Sequence, residues 1–575
     1  MNSRTVAIIW TGSFMALLGG CDGSGGDIVE SLPQLAAATP GTLEACTSLA
    51  DGFKFANTTI NSAEIVPAGT VAGSAVGQHC LIKGEMYRRT GANGSYAIGF
   101  EMRMPTAWNG RFVYQGNGGS DGVVVAATAP QGNSALTPSG LSMGFAVLSS
   151  DAGHNSAQNI GGPNHFALDP QARLDYGYQA VGKLTPMARE LVKAAYGRQP
   201  DRMYMAGCSN GGRHGMVAAS RYADQYDGIV AGDPGFDLPK AAVEVAWDTQ
   251  QLSRIATPGS VNPLTSGLDL GSGFTAQERA LVAAKIVAKC DALDGATDGM
   301  VLNVDACQTA FDLQKDVPTC TASRDGTCLT GDQKSAVASI FAGARNSMGT
   351  QLYSSFPLDP GVGGSGWANW KTYINVALGG ASTPYIFTTP PVQVAPADFQ
   401  SFLTMYRMDT DAPKIFATSG AFTESAMQFM TPPNATNLST LRARGAKLIV
   451  YHGTGDPIFS FNDTANWYNG LQPPNTKGQQ FARLFPVPGM NHCSGGPSTD
   501  QFDMLSLIVN WVEKGVVPDS VRASVNGTSK DLSSTWSKVR SRPLCAYPEV
   551  ARYKGTGDPE SADSFTCVTN GQRIN

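Results

Sequence analysis

Arg202-Met203-Tyr204-Met205-Ala206-Gly207-Cys208-Ser209-Asn210-Gly211-Gly212-Arg213 is the stretch on which the fold turns. Its first part is short and largely apolar, as a strand buried on both faces of a sheet requires, and a helix-compatible run follows from Gly212 to Tyr226. Between them stands a Gly-x-Ser-x-Gly, the nucleophile elbow, whose small flanking residues permit a strained turn that projects the Ser209 hydroxyl. The pentapeptide alone is a common accident. Its place between a strand and a helix gives it weight.

Outward from this stretch, Ser95 to Met102, Arg111 to Tyr114 and Gly144 to Ser149 read as strands, and Leu174 to Tyr196 as an amphipathic helix. Gly228 to Gly232 is a further short strand, and the pattern resumes only at Ala446 to Tyr451. Strands alternating with helices predict an α/β sheet. The intervening residues are rich in Gly, Pro, Thr and aromatics and carry four cysteines, which predicts a second domain inserted into the first. A chain of 575 residues has room for one, since a single core stops growing near ~250 to 300 residues.

A serine hydroxyl needs a general base that is itself oriented by a carboxylate, and in α/β-hydrolases these follow in the order Ser, Asp or Glu, His. Leu448 to Asp456 is an apolar strand ending in a Gly-flanked Asp456, and Leu484 to Cys493 is a last strand followed by a loop His492. Asp463 competes for the acid but reads as part of the next helix. Of the six histidines, His79, His154 and His165 precede the elbow, out of order for the base. His452, at a strand end, and His214, on the elbow helix, read as pocket or packing residues. The oxyanion is expected at the backbone N–H of Asn210 and of Gly119, in the Gly-rich loop Gln115 to Ser120.

A net charge of -5 without a basic block excludes nucleic acid as a partner, because neutralising phosphates takes clustered Lys and Arg. The N-terminus has the charged, apolar and small-residue regions of a signal peptide over residues 1–21. Leu18-Gly19-Gly20-Cys21 matches a bacterial lipobox, with Cys21 as the lipidated residue; an ordinary secretory signal is the alternative. The membrane is therefore expected as a partner only through this anchor. Residues 22–45 begin Asp22-Gly23-Ser24-Gly25-Gly26 and read as a flexible tether. Eleven cysteines less Cys21 leave ten, enough for five disulfides in an oxidising periplasm or cell surface. Cys208 and Cys493 adjoin the proposed nucleophile and base, so a bond between them would pin both catalytic loops.

Gly207 to Arg213, the Cys-flanked His492 and the acidic run Cys290 to Met300 together resemble the tannase and feruloyl esterase family, with the likeness running from about Cys46 to Cys567. The resemblance implies an α/β-hydrolase core, residues 46–235 and 435–575, with a large inserted lid at 236–434. It implies the disulfides Cys46–Cys80, Cys208–Cys493, Cys290–Cys307, Cys320–Cys328 and Cys545–Cys567. It also implies a structural Ca²⁺ in the lid, held by the side chains of Asp291, Asp294 and Asp298 and the carbonyls of Ala296 and Met300. Carboxylates with intervening Gly suit such a hard cation, though not at EF-hand spacing, and a solvated acidic turn is the plain alternative. No organic cofactor is expected.

The substrate expected is a small aromatic ester, of feruloyl, galloyl or terephthaloyl type. Trp370, Phe387, His452 and Phe459 are its candidate pocket residues, with Trp367 and Tyr373 nearby; lid core is the alternative for each of the lid aromatics. Family members that act on a substrate with a free carboxylate hold it with a lid arginine, yet no basic residue stands between Lys371 and Arg407 here. That favours broad aromatic-acid esterase activity. The rival from another class is a catalytically idle, calcium-stabilised surface binding protein, which predicts a missing triad member.

Overall fold

The computed structural model describes residues 32–92, 94–131, 137–471 and 480–569. Nine strands form one sheet: β1 (Thr58–Val66), β2 (His79–Gly91), β3 (Gly94–Pro105), β4 (Arg111–Gly116), β5 (Ala146–Ser150), β6 (Arg202–Cys208), β7 (Gly228–Gly232), β8 (Lys447–Gly453) and β9 (Ala482–Val487). Their spatial order is β9-β8-β7-β6-β4-β5-β3-β2-β1. Neighbours from β9 to β5 run parallel, and β3, β2 and β1 continue the sheet as antiparallel strands. This is the expected α/β class. Phe112, Met205 and Leu448 face one core layer, while Val113, Tyr204 and Ile449 face the other, as the two-residue period of a strand dictates.

Helix α1 (Ala180–Tyr196) ends on Gly197 in the left-handed conformation, φ 72°, and α2 (Asn210–Arg221) begins directly after Ser209. The helix expected from Leu174 starts earlier and differently. A short turn, Pro170–Leu174, and a wider one, Asp175–Gln179, precede α1.

Between β7 and β8 the described residues add no strand to the sheet. They form α3 (Leu238–Ile255), α4 (Ala276–Cys290), α5 (Gly331–Ala342) and a further helical run from Trp370 to Phe387. Trp367, Phe387 and Leu403 of this insertion join the same apolar cluster as Phe112 and Met205, so it caps one face of the sheet. Helix α6 (Met504–Lys514) covers the other face through Ile508 and Trp511. Two antiparallel pairs follow: β10 (Ser520–Ser524) with β11 (Ser541–Cys545), and β12 (Glu549–Tyr553) with β13 (Phe565–Thr569).

Of the tether expected over 22–45, the described residues 32–45 are held against the core. Gln34 donates to the Val512 carbonyl at 2.7 Å, Ala38 N–H to Glu513 at 2.9 Å, and Gly41–Thr42 pairs with Ala107–Trp108. These hydrogen bonds, with Leu43 packed against one core layer and Leu35 against the other, hold the segment to the core. Cys21 lies outside the described residues. Among the described residues no helix is long and apolar enough to cross a membrane.

Candidate active site

Ser209 sits at the carboxyl end of β6, in the middle of the sheet, with φ 64° and ψ -125°. An L-residue there is strained, and the surroundings enforce it. Ser209 N–H donates to Gly232 O at 2.9 Å. Three glycines let β4 approach the elbow: a Cβ on Gly211 would lie 2.3 Å from Gly116 O, and one on Gly207 2.7 Å from the same oxygen. The glycines of the motif are therefore steric necessities.

The other two members arrive at the ends of β8 and β9. His492 Nε2 is 2.8 Å from Ser209 Oγ, and its Nδ1 is 2.7 Å from Asp456 Oδ2. Asp456 Oδ1 also accepts from the N–H groups of Ile458 (2.8 Å) and Phe459 (3.0 Å). Burial alone would raise the Asp456 carboxyl, but the charge of His492 and hydrogen bonds from His452 and His492 hold it well below the usual carboxylate range. Asp463 lies elsewhere, bonded to Ser354 at 2.7 Å. The chain thus brings Ser209, His492 and Asp456 together in working order.

Asn210 opens α2, whose first N–H groups have no partner within the helix and so face the elbow. Its side chain is occupied: Nδ2 donates to Asp121 at 2.7 Å and Oδ1 accepts from Arg213 Nε at 2.7 Å. His214 Nε2 meets the same Asp121 oxygen at 2.9 Å, so Asp121 ties the Gly119 loop to α2. Burial and the adjacent Arg213 lower the His214 pKa, leaving a neutral packing residue. Gly119, at φ 63°, lines the space above Ser209.

Two spaces meet at Ser209. An outer cleft of about 600 Å³ is lined by His492, Trp370 and core residues such as Val125, Phe502 and Leu505. A narrow inner pocket of about 60 Å³ is lined by Gly119, Asn210, Trp370, Phe387 and Phe459, with Leu238 and Val245 of α3. Trp370 and Phe459 also flank the base, their ring centroids 4.7 and 5.2 Å from that of His492 and their planes nearly perpendicular to it. Trp367, stacked on Phe341, belongs to the lid core, and Tyr373 faces a separate groove on the lid.

His452 is a correction to the expected pocket set. It is fully buried beneath the triad, with Nδ1 2.9 Å from Thr464 Oγ1 and Nε2 3.0 Å from Phe459 O, and it lines neither space. A strand whose residues are all buried leaves its last histidine in the core, supporting Asp456 from behind.

Sequence reasoning missed Asp233 and Asn491. Asp233, at the end of β7, is fully buried, accepts from Gly453 N–H at 2.9 Å, and lies within 4.8 Å of the Asp456 and His492 polar atoms. Burial, then the charge of Asp456, push its carboxyl well above the ordinary range. Asn491 clamps the His492 loop, donating to the carbonyls of Gly361 and Gly455 at 3.0 Å each and accepting from Trp367 N–H at 3.2 Å. Only their position beside a motif signals either residue in the sequence.

The five implied disulfides are formed: Cys46–Cys80, Cys208–Cys493, Cys290–Cys307, Cys320–Cys328 and Cys545–Cys567. Cys208–Cys493 joins the elbow to the base loop across 285 residues of sequence. In the lid, the loop after α4 carries Asp291, Asp294 and Asp298. Burial and mutual repulsion push Asp294 up to about 7 and raise Asp291. Asp298 meets Arg540 and Arg542 of the C-terminal strands. Among the described residues the three carboxylates do not converge within 4.8 Å of one another; Asp291 accepts from Gly299 N–H at 3.1 Å and Asp294 from Leu302 N–H at 2.9 Å. Ala296 and Met300 pack with Trp536, Ala551 and Phe565, which joins this loop to the C-terminal sheets.

The family model described as "Tannase and feruloyl esterase" matches residues 80–568. A mono(2-hydroxyethyl) terephthalate hydrolase from Piscinibacter sakaiensis is 39% identical, over 91% of this chain and 91% of that protein. A probable feruloyl esterase B-2 from Aspergillus oryzae is 27% identical, over 91% and 95% of the two chains. Among solved structures, feruloyl esterase B from Aspergillus oryzae superimposes with a TM-score of 0.69 at 24% identity, covering 91% of this chain and 99% of that one.

Proposed function

This chain belongs to the tannase and feruloyl esterase family and is a carboxylic ester hydrolase, and from that premise we propose that it cleaves esters of small aromatic carboxylic acids through an acyl-enzyme on Ser209. The observation that carries the reading is the unbroken series Ser209 Oγ, His492 Nε2, His492 Nδ1, Asp456 Oδ2, with separations of 2.8 and 2.7 Å. The rival binding protein has no missing triad member to rest on.

His492 takes the Ser209 proton as Oγ attacks the ester carbonyl, and the oxyanion is held by the N–H groups of Asn210 and Gly119. The imidazolium then protonates the departing alcohol, and water, activated by the same base, releases the acid. The general acid has to reach the leaving oxygen, and His492 lines the outer cleft but not the inner pocket. The alcohol therefore lies in the outer cleft and the acyl group in the inner pocket, between Trp370, Phe387 and Phe459. Aromatic rings on three sides favour a flat acyl group.

The terephthalate half-ester named for one relative is a poorer match for this chain, because among the described residues no Lys or Arg lines the inner pocket. Ca²⁺, held by Asp291, Asp294, Asp298 and the carbonyls of Ala296 and Met300, has a structural role in this reading, as those residues line neither space at Ser209. Five disulfides support an exported protein in an oxidising compartment; lipidation at Cys21 would hold it to the membrane.

Ser209→Ala is expected to abolish both labelling by a fluorophosphonate and hydrolysis of methyl ferulate, methyl gallate and bis(2-hydroxyethyl) terephthalate. Normal turnover by that variant would sink the mechanism. Dominant activity on mono(2-hydroxyethyl) terephthalate would sink the substrate assignment.

A further inference from the structure

Volume divides unequally between the two spaces at Ser209. The inner pocket holds about 60 Å³ and the outer cleft about 600 Å³, far more than a methyl or glycol leaving group fills. Val123, Val125, Phe502, Met504 and Leu505 wall the outer cleft. Phe502 stands edge-on to the Tyr451 ring, their centroids 5.1 Å apart. Val123 and Val125, just past Gly119 in the chain, are 62% and 45% exposed. Two large apolar side chains beside the nucleophile are thus left in water, although the rest of the wall is buried.

The amide and acid side chains that line the cleft are already engaged by the protein. Gln115 donates to Asn117 Oδ1 at 3.0 Å and accepts from the N–H groups of Thr128 (3.0 Å) and Ala129 (2.7 Å). Asn117 Nδ2 donates to Ser149 Oγ and to Ser150 O, at 3.0 and 2.8 Å. Gln131 accepts from Leu505 N–H at 2.8 Å and donates to Pro138 O at 3.0 Å. Asp121 is taken by Asn210 and His214. Among the described residues no Lys or Arg lines the cleft. Hydroxyl groups of a sugar or polyol entering here would give up water without regaining these partners, whereas a hydrocarbon gains by covering the valines.

We propose that the outer cleft is a binding site for an apolar alcohol, so that the enzyme acts on aromatic-acid esters of alkyl or arylalkyl alcohols in preference to esters of sugars, glycerol or glycols. His492 Nε2, 2.8 Å from Ser209 Oγ, opens on this cleft and protonates the departing oxygen there. The alcohol's first carbon then lies beside the base, and the rest of its chain runs along the apolar wall. The inference rests on reading the inner pocket as the acyl site, and adds the identity of the group on the other side of the ester bond.

The test is kcat/KM, by chromatography, for the methyl, n-pentyl, benzyl, 2,3-dihydroxypropyl and glucosyl esters of ferulic acid, each below its solubility limit. All form the same acyl-enzyme, so the comparison isolates the alcohol. The pentyl and dihydroxypropyl groups match in size, and the hydroxyls of the second make it the better leaving group, so a preference for pentyl runs against intrinsic reactivity. Each methylene taken out of water is worth up to about fourfold, and about twofold in a half-open cleft. The wild type is therefore expected to favour the pentyl ester over the methyl and dihydroxypropyl esters by about tenfold. Val123→Asn combined with Val125→Asn should lower the pentyl-to-dihydroxypropyl ratio by about threefold or more. A ratio measured within one protein does not depend on the fraction folded, and the wild-type series decides even if the variant fails to fold. Equal rates for methyl and pentyl esters, preference for the polyol or sugar ester, or an unchanged ratio in the double variant would overturn the inference and leave the acyl site standing. A wild type that fluorophosphonate labels but that cleaves neither these esters nor the corresponding gallates would overturn the reading of the acyl site, and this inference with it.

Discussion

Replacing Asp456 by Asn tests the catalytic geometry through a single proton. In the native site Asp456 Oδ1 accepts two backbone N–H groups, from Ile458 at 2.8 Å and Phe459 at 3.0 Å, and Oδ2 faces His492 Nδ1 at 2.7 Å. Asparagine has one oxygen, and the two N–H donors claim it. The amide nitrogen must then take the Oδ2 position and donate to His492 Nδ1, because His452 Nε2, 3.5 Å away, is engaged with the Phe459 carbonyl. His492 is left with its proton on Nε2, pointing at Ser209 Oγ, where it cannot act as a base. The expected loss is ~10⁴-fold in kcat, or about 5 kcal/mol of transition-state stabilisation. Steady-state hydrolysis of p-nitrophenyl acetate measures it, with fluorophosphonate labelling slowed in parallel. Asp463→Asn, which touches Ser354 and not the base, is the control and keeps its rate. Activity above ~1% of wild type in Asp456→Asn would refute the tautomer argument, since it would show a working base without its carboxylate.

Cys208→Ser with Cys493→Ser releases the elbow from the base loop; kcat is expected to fall by ~10 to 100-fold, because small displacements of catalytic groups carry that penalty. Loss of a cross-link of this span also lowers stability, by up to about 5 kcal/mol in the chain-entropy view, so thermal unfolding should fall too. Chelation by EDTA, or Asp294→Asn, is expected to lower the unfolding temperature by several degrees, with added Ca²⁺ restoring the chelated wild type. No change together with no bound metal by elemental analysis would dismiss the calcium site. Asp151 accepts from Gly99 and Gly153 N–H at 2.9 Å each, and burial pushes its carboxyl up to about 8. The folded state holds this proton where the unfolded state has lost it, so the group's contribution to stability declines as pH rises from about 4 to about 8. Asp151→Asn should flatten that slope and raise the unfolding temperature at pH 8 more than at pH 5.

What was legible in the sequence depended on how local the constraint is. The elbow was readable because β6, Ser209 and α2 are contiguous and the glycines beside Ser209 answer one steric demand. Asp456 and His492 were readable from the ends of apolar strands and from their order along the chain. By contrast, β1 and β2 escaped notice because bulges between Ile60 and Ser62 and between Met86 and Arg89 break the alternation that marks a strand. The burial of His452 follows from what packs on β8, and the raised Asp233 carboxyl from its own burial and from a carboxylate more than 200 residues away. Long-range burial leaves no local pattern in either case.

The division of the site between core and lid carries a consequence for how this fold varies its chemistry. Ser209, His492, Asp456, the Gly119 loop and much of the outer cleft come from strand ends of the sheet, whose positions are fixed by neighbouring strands. The inner pocket takes Leu238 and Val245 of α3 and Trp370, Asn375 and Phe387 of the later helical run from the insertion. Changes there alter what the acyl group meets without moving Ser209, His492 or Asp456. The lid is not free to drift, however, since Asn491 binds Gly361 and Trp367 of the insertion while standing next to His492. Acid specificity can therefore change by substitution within the lid pocket, whereas displacing the lid as a whole would disturb the base. On this argument Asn491→Ala should reduce kcat on every ester alike.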